Sequence, residues 1–292
     1  MGVCAISNGM KVYYQNSQKE NNPRTKLKVF LIALLFLAVI GAGGYLVYAS
    51  GFFKIKNTEI SGLKNYSKEN LIADLKDFFK NRSVISSFLG PENVLIWTAD
   101  VGAFLSKEPQ FKNLIVQRDI LSRFVKVEVT EREKFGIWCL IKKNITLENT
   151  SSTAEQTGEN ENCFWFDKDG IIFVEAPTIE SELFNKVVDS TGRDLKLGDK
   201  VLDSRLVENL VKVFNVFDEV DVKSKTVQLS DIKSEEVVIK PVLFPASFFS
   251  LRFSPDFSIA AIKTLKKDKR WDKIQYADFR VENRVYYKYK NQ

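Results

Sequence analysis

The chain of 292 residues carries 43 lysines and arginines against 37 aspartates and glutamates, a net charge of +6, and it contains no histidine. So small a surplus is no electrostatic footprint for nucleic acid. The missing imidazole excludes Ser-His-Asp and Cys-His nucleophiles, a histidine general base and His-ligated zinc. Three cysteines, Cys4, Cys139 and Cys163, are too few for a Cys₄ zinc or iron–sulfur site.

Residues 1–28 form a polar tail without periodicity and are read as disordered and cytoplasmic. From Val29 to Phe53 no residue is charged. As a helix that run reaches about 37 Å, more than the ~30 Å hydrocarbon core of a bilayer. A cleavable signal peptide competes, because Val47-Tyr48-Ala49 resembles a cleavage site. The run well exceeds the ~7–15 apolar residues of such a peptide, so residues 29–49 are assigned as an uncleaved transmembrane helix. Arg24, Lys26 and Lys28 crowd its upstream end, while Lys54, Lys56, Lys64 and Lys68 follow it. The upstream crowding, and the ease with which long domains translocate, put the N-terminus in the cytoplasm and the rest outside.

Beyond the span, Phe53 to Lys56 and Thr58 to Ile60 alternate as a strand that stops at Ser61-Gly62. Ser67 can cap a helix with Leu71, Ile72, Leu75, Phe78 and Phe79 on one face. Ser83 to Pro91 breaks the pattern, and Val94 to Trp97 is a short apolar run. Asp100 opens a second helix with Val101, Phe104 and Leu105 inward, closed by Pro109. Asn113 to Ile120 and Arg123 to Val129 read as strands. The order over residues 53–133 is therefore β-α-α-β-β, and the charged pair Glu131-Arg132 reads as a solvated strand end.

A membrane span leading into a strand that ends Ile60-Ser61-Gly62, then two helices and two strands, resembles a POTRA domain. The junction Glu131-Arg132-Glu133-Lys134-Phe135-Gly136-Ile137-Trp138 is similar to the Glu-Arg-x-Pro-x-Ala-x-Trp segment that closes this domain in the FtsQ/DivIB family of bacterial division proteins. Lys134 stands at the usual proline and Gly136 at the usual alanine.

Ile137 to Ile141 continues as a strand, and Lys142 to Asn162 is a polar loop. Cys163 to Phe166 and Ile171 to Val174 flank Asp167-Lys168-Asp169-Gly170, a hairpin turn that also resembles the family's iD-x-x-G-x-v feature. A calcium loop is excluded, because Thr178 stands where an EF-hand requires glutamate. A linker with Gly192 and Gly198 follows Pro177. Leu202 to Phe217 has Leu206, Leu210, Val213, Phe214 and Phe217 at helical spacing. Strands are expected at Val220 to Leu229, Glu236 to Ile239 and Phe248 to Phe253, and a helix at Asp256 to Lys267 with Ile259, Ile262 and Leu265 inward.

The last segment, Lys273 to Tyr289, resembles the family's "i-x-y-i-D-l-R-f-x-n-r-v-y" ending, with Ala277 at the usual isoleucine. Ala277, Phe279, Val281, Val285, Tyr287 and Tyr289 share one parity, a core face. Asp278, Arg280, Glu282, Arg284 and Lys288 share the other, a wet face. The expected fold class is α+β: a single N-terminal transmembrane helix, a POTRA domain over residues 53–133, and a mostly antiparallel β domain with two helices over residues 134–290.

A final strand at a sheet edge is either an ordinary charge-protected edge or a docking edge. The resemblance implies docking of FtsB/DivIC-like and FtsL-like division proteins. The binding residues would be Arg280, Val281, Val285, Tyr286, Tyr287 and Tyr289, with Arg280 facing either an acidic partner group or Asp278. It implies a non-enzymatic bitopic scaffold in the bacterial cell (inner) membrane at the division septum, recruiting or regulating septal peptidoglycan machinery. No catalytic residue, metal, cofactor or small-molecule substrate is expected. The alternative is a membrane-anchored enzyme acting on peptidoglycan through carboxylates, with no Ser-x-x-Lys, Gly-x-Ser-x-Gly or P-loop pattern expected in the exported part. An outer-membrane assembly protein would need a barrel-length series of strands. Cys139 and Cys163, on strands bounding the polar loop, are expected side by side, either bonded or as two buried thiols.

Overall fold

The computed structural model describes residues 23–49, 51–141, 161–177, 184–222, 225–241 and 244–290. Most of the N-terminal tail, the bulk of the polar loop after Ile141 and the start of the linker after Pro177 lie outside the described residues. The chain divides into two units, residues 1–54 and 55–292.

In the first unit, α1 (Pro23–Ala49) takes in residues 23–28 of the tail expected to be disordered, and it contains one stretch, Lys26–Tyr48, long and apolar enough to cross a membrane. Its side chains from Leu27 to Leu46 are all exposed, so it is apolar on every side, as a lipid-facing helix must be. Gly51–Phe53 then forms a 3-10 turn where the strand was expected to begin.

The second unit contains two sheets. The smaller one is built from β1 (Asn57–Ser61), α2 (Lys68–Asn81), α3 (Val84–Leu89), α4 (Gly102–Lys107), β2 (Phe111–Asp119) and β3 (Phe124–Glu131). Its strand order is β1-β3-β2, with β1 parallel and β2 antiparallel to β3. Ser67 caps α2 as expected, its Oγ accepting the Asn70 N–H at 3.1 Å. Leu71, Leu75 and Phe79, four residues apart, point the helix into the core, where Phe79 meets the buried Trp97 at 5.0 Å. The stretch expected only to break the pattern instead holds α3, made possible by Ser83 as its cap. The second expected helix, α4, starts at Gly102, two residues past Asp100, and Phe104 is its buried anchor. Gly62 is obligatory: its φ is +88°, and a Cβ would lie 2.0 Å from the Val129 carbonyl oxygen.

The larger sheet begins with β4 (Gly136–Ile141), β5 (Glu161–Phe166), β6 (Ile172–Glu175) and β7 (Asn185–Asp189). It continues through α5 (Ser204–Glu219), β8 (Thr226–Leu229), β9 (Glu236–Ile239), β10 (Ala246–Ser250), α6 (Phe257–Leu265), β11 (Ile274–Phe279) and β12 (Tyr286–Tyr289). The order of its nine strands is β12-β11-β10-β9-β8-β7-β4-β5-β6. It is mixed: β4/β7, β7/β8 and β10/β11 are parallel and the other pairs antiparallel. Helices α5 and α6 bridge two of the parallel pairs, since parallel neighbours need a crossover. The α5 stripe Leu206, Leu210, Val213, Phe214 and Phe217 is buried as its spacing implies, against Trp138, Phe166, Val187, Val227, Phe249 and Phe279 of the sheet. A smaller cluster on alternate residues, Ile137, Cys139, Cys163, Trp165 and Phe173, makes β4 apolar on both faces.

Two expectations fail here. The linker after Pro177 contains β7, a central strand, and the run from Val220 shortens to β8, with Val220 closing α5. The β7 residues Asn185, Lys186 and Asp189 lack strand character, and each has a long-range partner: Phe135 O for the Asn185 amide, Glu161 for Lys186 and Trp138 for Asp189. Asp189 is buried, accepting from Trp138 Nε1–H at 3.1 Å, Thr191 Oγ1–H at 2.6 Å and Arg193 Nη2 at 2.6 Å. Burial alone would raise the Asp189 pKa. The hydrogen bonds from Thr191 and Arg193, with the guanidinium charge, more than offset that and hold it below the usual carboxylate range.

Glu131 and Arg132 are not a solvated strand end. The Glu131 carboxylate gathers the backbone N–H groups of Lys64, Asn65 and Tyr66 at 2.8 to 3.1 Å. Burial opposes its ionisation, and those backbone donors win, depressing its pKa. Arg132, mostly buried, donates to the Pro109 carbonyl at 2.8 Å and to Asp167 at 2.6 Å. Asp167 Oδ1 meanwhile accepts the Asp169 and Ile171 N–H groups, shaping the hairpin turn between β5 and β6. The pair is therefore a joint that fastens the small sheet to that hairpin.

Candidate functional site

The C-terminal segment folds back on itself. Asn283 adopts φ +58°, and the Arg284 N–H donates to Val281 O at 3.1 Å, so residues 280–285 form the turn between β11 and β12. In register, Tyr286 faces Asp278, Tyr287 faces Ala277 and Tyr289 faces Ile274. β12 is the last strand of the large sheet, so one of its backbone edges has no strand beyond it among the described residues.

The core-face parity survives in β11, where Ala277 and Phe279 are buried, and fails past the turn. Val281 is 45% exposed because it sits in the turn, and Tyr287 is 43% exposed because β12 lies at the sheet's margin. Val285 still packs against the main core. Tyr286, on the Asp278 face, is 51% exposed. Tyr289 is half-buried and braced from within: Arg270 stacks 4.6 Å from its ring, and its hydroxyl donates to Asp268 at 3.3 Å. Arg270, through its hydrogen bonds and charge, holds the Asp268 carboxyl down at about 2. Desolvation first, then the hydrogen bond with Tyr287, pushes the Tyr289 hydroxyl up.

Arg280 is committed within the chain. Its guanidinium meets Asp278 at 2.6 Å and Glu236 of β9 at 2.9 Å, and lies 5.1 Å from the Phe248 ring of β10. The Asp278 hydrogen bond, then that of Glu236, raises the Arg280 pKa, and the Arg280 hydrogen bond depresses that of Asp278. One side chain thus ties β9, β10 and β11 together directly behind the edge. Of the six residues expected to bind a partner, Val281, Tyr286 and Tyr287 are presented outward. Val285, Tyr289 and Arg280 support them. Sequence reading identified neither Glu236 nor the Asp268–Arg270 brace, since their partners lie more than a dozen residues away.

No family model matches the chain, and no curated protein resembles it significantly.

Cys139 and Cys163 face each other across β4 and β5 and are joined by a disulfide, with Cα atoms 4.0 Å apart. The Cys139–Glu161–Cys163 group that has metal-like spacing is thereby accounted for as a crosslink. The expected absence of Ser-x-x-Lys is wrong: residues 61–64 and 230–233 both have that spacing. Ser61 ends β1, however, and the Lys64 ammonium is held 2.6 Å from Glu133, whose hydrogen bond and charge raise its pKa. A lysine so paired stays protonated and is no general base.

Proposed function

We propose that this protein is a bitopic, non-enzymatic scaffold of bacterial cell division of the FtsQ/DivIB type. Residues 1–28 would lie in the cytoplasm, the uncharged part of α1 from Val29 onward would cross the cell membrane, and a POTRA-type layer and a β domain would stand outside it at the septum. The observation that carries this reading is β12, an open edge strand with Tyr286 and Tyr287 exposed at the end of a nine-stranded sheet. A partner strand of an FtsB/DivIC-like protein would add to that edge, its backbone supplying generic affinity. The tyrosine rings give large apolar contact while their hydroxyls stay wet, which suits them to select the partner. An FtsL-like protein would enter the same assembly. Arg280 would act by holding β11 in place beneath the docking strand.

The test is affinity capture from the protein's own cells with the full chain and with a Tyr286→Ala/Tyr287→Ala variant. The expected result is a small single-span division protein retained by the first and lost by the second. Equal retention by both would remove β12 as the docking edge. Release of soluble fragments from peptidoglycan by the purified protein would favour the enzymatic alternative.

A further inference from the structure

Helix α3 has no buried residue, yet it is capped at both ends: the Ser86 N–H donates to Ser83 Oγ at 3.0 Å, and the Gly90 N–H to Ser86 O at 3.1 Å. One turn and a half of helix has little stability of its own, so these caps hold a surface whose composition is unusual. Val84, Ile85 and Phe88, which share a face, are 87%, 72% and 64% exposed. Leu121, at the tip of the β2–β3 hairpin, is 86% exposed. It is held there by Asp119, whose Oδ1 accepts the Leu121 N–H at 3.0 Å and the Ser122 N–H at 3.3 Å.

These two apolar features flank the point where the chain enters the second unit. The Ile55 N–H donates to Glu92 O at 2.8 Å, just past α3, and the next residue, Lys56, donates to Arg123 O at 3.0 Å, in the hairpin turn. We propose that Val84, Ile85, Phe88 and Leu121 dock in the headgroup boundary of the bilayer that α1 spans. The occupant is lipid on two grounds. Residues 50–54 are the whole connection between α1 and Ile55, so by chain length alone the entry point stays within about 20 Å of the helix end. Lys54 and Lys56 are exposed on the entering chain, and Arg123 lies in the turn beside Leu121. Exposed apolar side chains with lysines close by in the chain form the composition that binds anionic interfaces. The inference depends on α1 spanning the membrane, and not on the identity of any partner at β12.

The experiment uses the full chain with Cys4→Ser, one copy per nanodisc of mixed anionic and zwitterionic lipid. A nitroxide is placed at Ile85→Cys and, as a control, at Lys288→Cys on β12. Power-saturation electron paramagnetic resonance then compares collisions with lipid-soluble oxygen and with a water-soluble nickel chelate. The oxygen-to-nickel ratio at position 85 is expected to exceed that at position 288 several-fold. Adding Val84→Asp and Leu121→Asp should return it to the control value with the thermal unfolding of the exported part unchanged, since neither side chain is in the core. Equal ratios at 85 and 288 would overturn the proposal. So would shielding of position 85 from both reagents, which would mean that protein and not lipid covers α3.

Discussion

The two edges of the large sheet are strands of 4 residues each, β6 and β12, and another segment of the chain bonds to the start of one of them. Outside β6 runs the segment 198–200: the Gly198 N–H donates to Ile172 O at 2.7 Å, and the Ile172 N–H to Asp199 O at 3.1 Å. Ile172 and Phe173 are buried behind it. The half of the sheet beside β6 is further braced by the Cys139–Cys163 disulfide, the Trp138–Asp189–Arg193 cluster and the Arg132–Asp167 joint. β12 has β11 on one side, no strand on the other among the described residues, and two tyrosines in solvent. The segment 198–200 blunts the start of β6, whereas β12 is flanked by the Arg280 network of β9, β10 and β11 on its inner side only.

The comparison breaks most sharply at the β6 side. Arg193→Met leaves Asp189 buried without its charge partner and should cost about 3–5 kcal/mol in urea unfolding. Affinity per folded molecule at β12 should not change; a loss below about 1 kcal/mol would mean that the cluster does not brace the sheet. Removing the disulfide with a Cys139→Ser/Cys163→Ser variant reopens a loop of 24 residues' separation and should lower stability by about 3 kcal/mol, again sparing the open edge.

At β12 the pattern should invert. Tyr286→Ala should weaken partner binding by about 2 kcal/mol, near thirtyfold, while stability moves by no more than about 0.5 kcal/mol. Calorimetry and thermal melting of the same samples would separate the two. The smallest effect is in pH. The Asp189 carboxyl is depressed in the folded state, so its contribution is fully present above about pH 4 and is lost as pH falls from there through the folded-state value. Asp189→Asn should flatten that acid limb, and Tyr286→Ala should leave it as it is.

The elements legible in the sequence are those whose signal is local. The Asp167–Gly170 turn has its donors and acceptor within five residues, and α2 and α5 carry their apolar stripes in full. β9 was legible because Glu236 to Ile239 is bounded by polar residues on both sides. β7 was not, because Asp189 looks like loop until Trp138 arrives from 51 residues away in the chain. For the same reason Arg132 reads as solvated: its partners Pro109 and Asp167 lie 23 and 35 residues away. At the candidate site, parity correctly buried Ala277 and Phe279 and wrongly buried Val281 and Tyr287. Alternation specifies which face a side chain takes, but only tertiary structure decides whether anything covers that face.

The central claim is that a partner adds a strand to β12 and not to β6. Hydrogen exchange of the full chain, alone and in complex with the partner that affinity capture retains, tests it at the level of the backbone. Alternate amides of residues 286–289 should exchange more slowly in the complex, with residues 172–175 unchanged. If residues 286–289 exchange at the same rate in both states, β12 is not the docking strand.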